Sequence, residues 1–284
     1  MKISVIMPSY NQSCFVEAAL ESVLDQDYEQ KEIIFIDGGS TDGTMEVVRR
    51  YEDELAYCVS EKDEGQSDAL RKGFEKATGD VLTWLNTDDL LLPGALSAVA
   101  EILSGDPKIG WVAGNVVWID VEDRILNCRK AETHSNLALR MGIFSACGPS
   151  AFFRKSLYED VGGVNLRLHY MMDTDLWWRF IMNGYEFRRL TRYAWALRLH
   201  ESAKMSGHLF ADPESAAQKR IAAAKAAEHA HINQIRAGYC RPASTLARTA
   251  VQSLSRLSSP RYLRSLYDSR VWKGRDVAEL AKRQ

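Results

Sequence analysis

The 284-residue chain, 46% hydrophobic and 26% charged, has the composition of an ordinary soluble protein and can bury a sizeable core. Its apolar runs are too short and too interrupted to cross a bilayer, and it opens on a strand-like segment, so neither a membrane span nor a signal peptide is expected. The net charge of −2 hides an asymmetry: residues 214–284 carry 14 Lys/Arg against 5 Asp/Glu, a balance of +9, and the remainder is strongly acidic.

Taken in order, residues 3–7 form a β-rich run ended by Pro8-Ser9-Tyr10-Asn11-Gln12. Val16, Ala19, Leu20, Val23 and Leu24 then recur at helical spacing. Residues 32–37 are a second strand ending in Asp37, followed by a Gly/Ser/Thr/Asp loop suited to cap a helix that runs to about residue 51. A third strand (55–59), a third helix (65–77) and a fourth strand (80–85) continue the alternation. This pattern predicts an α/β fold with a mostly parallel, doubly wound sheet whose strand ends share one edge. Three loops at that edge carry acids or amides: Asp37, Asp63-Glu64-Gly65-Gln66 and Asp88-Asp89.

Past a helix near 93–103, residues 110–121 and 124–128 read as paired strands, 150–153 as a short strand, and 173–182 as a helix whose start carries Asp173 and Asp175. Residues 187–190 and 193–199 are strand-like. Pro213 marks a boundary, so residues 1–212 are expected to form one domain, split near residue 105, and 213–284 a basic helical extension. In that extension 216–235 is an Ala-rich helix, Pro242 opens another, and 261–267 and 270–273 mix Arg with Tyr, Leu and Trp. Five scattered cysteines without metal spacing point to reduced thiols and a cytoplasmic setting.

Two adjacent carboxylates at a strand end repel unless a proton or cation separates them, so Asp88-Asp89 has the makings of a hard-metal site. On these residues alone, a helix-capping turn is the simpler reading.

The ordered blocks Val5-Ile6-Met7-Pro8-Ser9-Tyr10-Asn11-Gln12, Ile36-Asp37-Gly38-Gly39-Ser40-Thr41-Asp42-Gly43-Thr44, Ser60-Glu61-Lys62-Asp63-Glu64-Gly65, Gly79-Asp80-Val81 and Leu85-Asn86-Thr87-Asp88-Asp89 resemble a family 2 glycosyltransferase of the GT-A fold, most of all the bacterial branch that builds O-antigen and other surface polysaccharides. The resemblance spans about residues 1–206. It implies inverting transfer of a sugar from a nucleotide diphosphate donor (UDP, GDP or dTDP type) to a saccharide or polyprenol-linked acceptor. It places Pro8, Tyr10, Asn11, Asp37 and Asp63 around the nucleoside, Asp88 toward the ribose and Asp89 on Mg²⁺ or Mn²⁺. Asp173 becomes the general base, and His200, in a segment resembling His-x-x-x-x-x-Ser, meets the metal or the diphosphate. Three residues depart from the pattern: Asn86 and Met172 stand where relatives carry acids, and Arg71 where they carry Asn.

A metal bridging two phosphates would act as Lewis acid for the leaving group, and a weak hydroxyl nucleophile needs a positioned base on the opposite face of the sugar. A scaffold that keeps the fold without turnover would also accommodate Asn86 and Met172. A nucleotidyltransferase would need a Gly-rich basic loop after the first strand, and Pro8-Ser9-Tyr10-Asn11-Gln12 is not one. For the basic extension the expectations are contact with the inner face of an anionic membrane, packing onto the catalytic domain, or a homodimer contact. Nucleic acid is disfavoured by the acidic catalytic half.

Overall fold

The computed structural model describes residues 1–130, 151–204, 215–237 and 260–284. Expectations for the Pro213 boundary, the Pro242 helix, Ser206, Cys147 and Cys240 lie outside the described residues.

Strand β1 (Ile3–Ser9) is buried along its whole length and sits between two parallel neighbours, β2 (Lys31–Asp37) and β4 (Val81–Trp84); β3 (Tyr57–Ser60) extends the sheet beyond β2. The order β3-β2-β1-β4 reverses its direction of growth at β1, so a crevice opens beyond the carboxyl ends of β1 and β4. The period of two along β1 divides its side chains between two cores. Ile3, Val5 and Met7 pack with α1 (Val16–Leu24) and α4 (Ala95–Gly105), whereas Ile6 packs with α3 (Gln66–Lys76) and α6 (Met172–Met182). The connection between β2 and β3 is α2 (Thr44–Val48), tightened into a 3-10 turn over Arg49–Glu54. At Gly73 of α3 a Cβ would stand 2.4 Å from Ile6 Cγ2, so glycine there allows the close approach of helix and sheet.

Beyond β4 the sheet is mixed. Strand β8 (Ala151–Arg154) runs antiparallel between β4 and β6 (Ile109–Ile119), and β9 (Glu186–Arg198) is parallel to β6. A short apolar run such as 151–154 encodes burial but not direction, which its pairing decides. The two strand segments expected around 187–199 are one strand, β9, whose register against β6 shifts near Asn115. Leu90–Leu91 form β5 against β9, and β7 (Ile125–Arg129) makes a hairpin with β6. Helix α5 (Lys155–Asp160) follows β8 directly.

The Trp177 indole lies between Trp84 (5.5 Å, 13° between planes) and Trp111 (5.4 Å, 12°), a stack that ties α6 to the sheet centre. In the extension, the two short segments expected between 261 and 273 form one helix, α8 (Pro260–Trp272), followed by α9 (Val277–Ala281). Trp272, Val277 and Leu280 pack on the β6–β7 hairpin, and Asp268 accepts the Tyr193 hydroxyl at 2.8 Å while pairing with Lys130. Helix α7 (Ala216–Ala237) lies against α6. Among the described residues no helix is long and apolar enough to cross a membrane.

Candidate active site

Three loops at the carboxyl edge are knitted together by short polar side chains. After β1, Asn11 adopts a left-handed conformation (φ 52°), its N–H donating to Ser40 Oγ at 2.7 Å and its Oδ1 accepting from Thr41 N at 2.9 Å. Asp37 is fully buried, and its oxygens accept from Gly39 N, Ser40 N, Ser40 Oγ and Ser60 Oγ, which fixes the loop after β2. Asp63 accepts from Gly65 N at 2.8 Å, and its carboxylate fills the space where a Cβ on Gly38 would stand. The Pro8 carbonyl and Ser9 hydroxyl meet Thr87 Oγ1, while the Tyr10 ring is left 62% exposed at the rim. Pro8, Tyr10, Asn11, Asp37 and Asp63 therefore lie on adjoining loops. Asp37 is held by its own loop and by Ser60 of β3, with a single bond on Oδ1.

The adjacent acids point different ways. Asp88 Oδ2 is 3.1 Å from His200 Nε2, and its side chain keeps 16% of its surface exposed. His200, 112 residues later at the end of β9, is oriented by Ser202 Oγ on Nδ1 (2.9 Å) and by the Phe15 ring. Asp89 is 5% exposed, with Oδ1 accepting Arg198 N at 3.0 Å and Oδ2 accepting Asn86 Nδ2 at 3.2 Å. Burial first, and then the Asp88 charge, raise the Asp89 carboxyl well above the usual aspartate range. Each Asp89 oxygen accepts one hydrogen bond and keeps a further lone pair, so these bonds are compatible with the division expected from the sequence, with Asp88 on ribose and Asp89 on metal. The acid that faces a histidine across the cleft is Asp88.

Arg198, which the sequence reading missed, closes this corner. Its Nε donates to the Asp88 carbonyl (2.9 Å), and its Nη1 reaches the Asp120 carbonyl (2.9 Å) and Asp123 Oδ1 (2.5 Å) in the β6–β7 turn. The β5–β9 pairing brings residues 88 and 198 together, and nothing local in the sequence signals it.

Asp173 opens α6 with Oδ1 on the N–H (2.6 Å) and hydroxyl of Thr174. Burial lifts its carboxyl above the ordinary range, while those bonds and the charge of Lys204 pull it back. Lys204 Nζ stands 2.8 Å from Gln66 Oε1 and 4.0 Å from Met172 Sδ, over the Tyr170 ring. Its pKa is pushed down to about 8 by burial, against the raising effect of Asp173 and Glu228. From Lys204 a chain of donors leads across the cleft: Gln66 Nε2 donates to Asn86 Oδ1 at 2.6 Å, and Asn86 donates to Asp89. Lys204 thus touches Met172 directly and reaches Asn86 only through Gln66, while the charges of Asp173 and Glu228 act on its ammonium. The other acid of this helix, Asp175, is committed to Arg179 at 2.6 Å, and Arg71 is held by Asp68 and Glu75.

With this arrangement in view, the family model described as Glycosyl transferase family 2 matches residues 4–162, more than half of the chain. The chain belongs to glycosyl transferase family 2. Among relatives of this glycosyltransferase, an uncharacterized glycosyltransferase of Nostoc sp. is 32% identical over 130 residues, covering 45% of this chain and 40% of its own length. The chain spans less than two thirds of the length of the curated relatives it matches first. S. aureus TarS 1-349 in complex with UDP-GlcNAc superposes with a TM-score of 0.59 at 17% identity, over 95% of this chain and 80% of that one. The mannosyltransferase PcManGT of Pyrobaculum calidifontis, in complex with GDP-Man and Mn²⁺, gives 0.54 at 20% identity, over 95% and 86%. The fold of this glycosyltransferase is GT-A, with a C-terminal helical extension.

Proposed function

We propose that this family 2 glycosyltransferase moves a sugar from a nucleotide diphosphate donor to an acceptor hydroxyl with inversion, in the assembly of a surface polysaccharide of O-antigen type. The observation that carries the reading is the convergence of Asp88 and His200, 3.1 Å apart at the ends of β4 and β9, beside a chain from Asp89 through Asn86 and Gln66 to Lys204, whose charge acts on Asp173. The nucleoside rests against Pro8, Tyr10, Asn11 and Asp63, on the loop frame that Asp37 holds rigid. We divide the chain at about residue 212, with the basic extension covering the acceptor half. Its basic, aromatic segments suit an anionic lipid surface or a second copy of the chain, at the cytoplasmic face where a polyprenol-linked acceptor would lie.

A carboxylate and an imidazole are ligands that Mg²⁺ or Mn²⁺ accepts, and Mg²⁺ in particular is often held by one or two carboxylates with substrate phosphates completing the shell. The donor set fits, since Asp88 and His200 already face each other and Asp89 is the next residue in the chain. Among the described residues no group of three or more such side chains converges, so the protein would supply two ligands. Bound there, the ion would supply Lewis-acid stabilisation of the leaving diphosphate. Asp173 takes the proton of the acceptor hydroxyl on its carboxylate. Lys204 favours the ionised form of that carboxylate and offers a cation to an anionic substrate. Asp89, with both oxygens bonded to protein, shapes the loop that presents Asp88.

A panel of nucleotide sugars with Mg²⁺ or Mn²⁺, read as melting-temperature shifts, tests the reading, because a ligand bound only by the folded state raises its apparent stability. Asp88→Asn and His200→Ala should lose the metal-dependent part of the shift. Asp173→Asn should keep the shift and lose transfer. An Asp173→Asn protein that transfers normally removes Asp173 from the role of base.

A further inference from the structure

Helix α7 contributes one acid, Glu228, to a run otherwise made of Ala, Ile, Lys, Arg and uncharged polar or His residues. The residue is 9% exposed, and a carboxylate on a residue buried that far is costly unless hydrogen bonds satisfy it. They do: Oε1 accepts from His169 N and Oε2 from Tyr170 N and Met171 N, all at 2.8 Å. These three amides immediately precede α6, whose N-cap residue Met171 has no side chain able to cap it. A residue 57 positions away supplies the acceptors that the loop lacks.

The same loop is held from its other side. Ser67 Oγ, on the first turn of α3, donates to the Leu168 carbonyl at 2.6 Å, and the His169 ring stands 3.2 Å from where a Cβ on Gly65 would lie. Residues 168–171 are clamped between the helix that carries Gln66 and the helix that carries Glu228, and Asp173 follows two residues later. The seating of α7 is built rather than incidental. Ile232 is buried in the cluster that holds Trp177 and Trp178, the Arg236 guanidinium lies 5.3 Å from the Trp178 ring, and His231 Nε2 is 3.4 Å from Asp175 Oδ1.

We infer that Glu228 is a positioning residue of the transfer reaction: from outside the family-matched region it fixes the backbone that presents Asp173, which makes α7 a part of the active site. The inference rests on Asp173 being the base. Charge-assisted bonds to three successive amides leave this backbone a single arrangement. Releasing it lets the carboxylate wander by the order of 1 Å, a displacement that can cost about 100-fold in rate. Nucleotide binding, built on the loops after β1, β2 and β4, has no direct contact with Glu228.

The experiment uses the full chain and its Glu228→Ala and Glu228→Gln variants, with UDP-GlcNAc and GDP-mannose as probes and Mn²⁺ present. Donor hydrolysis, with water in the place of the acceptor, gives kcat and KM, and amide hydrogen exchange reports on residues 169–171. Glu228→Ala should speed exchange at those amides and lower kcat by about 10- to 100-fold with donor KM within about 2-fold of the parent. Glu228→Gln, which keeps one acceptor oxygen and turns an amide donor toward the N–H groups, should fall between. If Glu228→Ala does not fold, the glutamine variant carries the test by the same split. Parental kcat in a folded variant overturns the inference, as do unchanged exchange at 169–171 and an equal loss of donor binding and kcat, which would mark a general structural role. A parent chain that hydrolyses neither donor instead overturns the transferase reading and the catalytic half of this inference. Hydrogen exchange then still decides whether Glu228 pins the loop.

Discussion

The donor chain from Lys204 to Asp89 has a direction, and reversing it at one junction should cost a measurable amount. An ammonium only donates, so Gln66 must present Oε1 to Lys204 and Nε2 to Asn86; Asn86 must then accept on Oδ1 and donate from Nδ2 to Asp89. Asp89→Asn preserves shape and keeps an acceptor for Arg198 N, but it turns a second amide donor toward Asn86 Nδ2. Flipping Asn86 moves the conflict to Gln66, and flipping Gln66 moves it to Lys204, where it stops. One buried donor is left without an acceptor, at about 1–3 kcal/mol. Losing the Asp89 charge also relieves its repulsion with Asp88, so the single substitution understates the conflict. A double-mutant cycle with Lys204→Met removes that ambiguity, because the relief is common to both backgrounds and cancels. With no ammonium at the far end, both amides can flip and the new amide introduced by Asp89→Asn is satisfied. The two substitutions together should therefore cost about 1–2 kcal/mol less than the sum of their separate effects, within the range of coupling between residues of one network. Urea unfolding of the four proteins gives the coupling energy. Additivity to within about 0.3 kcal/mol, the behaviour of independent sites, would refute the directional chain.

Other substitutions test the site and the core. Lys204, with its pKa pushed down to about 8, loses its proton as pH rises through that value, so transfer should decline above it; Lys204→Met should abolish this alkaline limb and move the acid limb upward, because Asp173 loses a cation that favours its ionised form, as a pH–rate profile would show. The fold itself should gain stability as pH climbs from about 8 toward the ordinary lysine value, where the unfolded chain binds the proton that the folded one has shed; unfolding midpoints across that window check the sign. Trp177→Ala removes the middle ring of the Trp84–Trp177–Trp111 stack at a site 1% exposed and should cost about 3–5 kcal/mol in urea unfolding.

The residues legible in the sequence were those whose placement depends on chain-local rules. Strand–loop–helix alternation through residue 85 follows from hydrophobic periodicity and turn chemistry, and it puts Asp37, Asp63 and Asp88 at one sheet edge before any tertiary contact is considered. Asp173 at a helix start is equally local. What stayed hidden depends on contacts between distant segments. Which of Asp88 and Asp89 faces the cleft is decided when β9 pairs with β5 and Arg198 N claims Asp89, 109 residues away. Asn86 and Met172 look like losses one at a time. They acquire a common meaning only when Lys204 is placed, because its ammonium touches Met172 Sδ and reaches Asn86 through Gln66. Glu228 is the extreme case. A single acid in an Ala-rich helix carries no motif, and its role exists only because three amides before α6 lack an acceptor of their own. The basic extension, for which a lipid surface, a partner and packing onto the catalytic domain were all expected, therefore shares in holding Asp173, so shortening the chain at residue 212 would remove both a surface and a support of the active site.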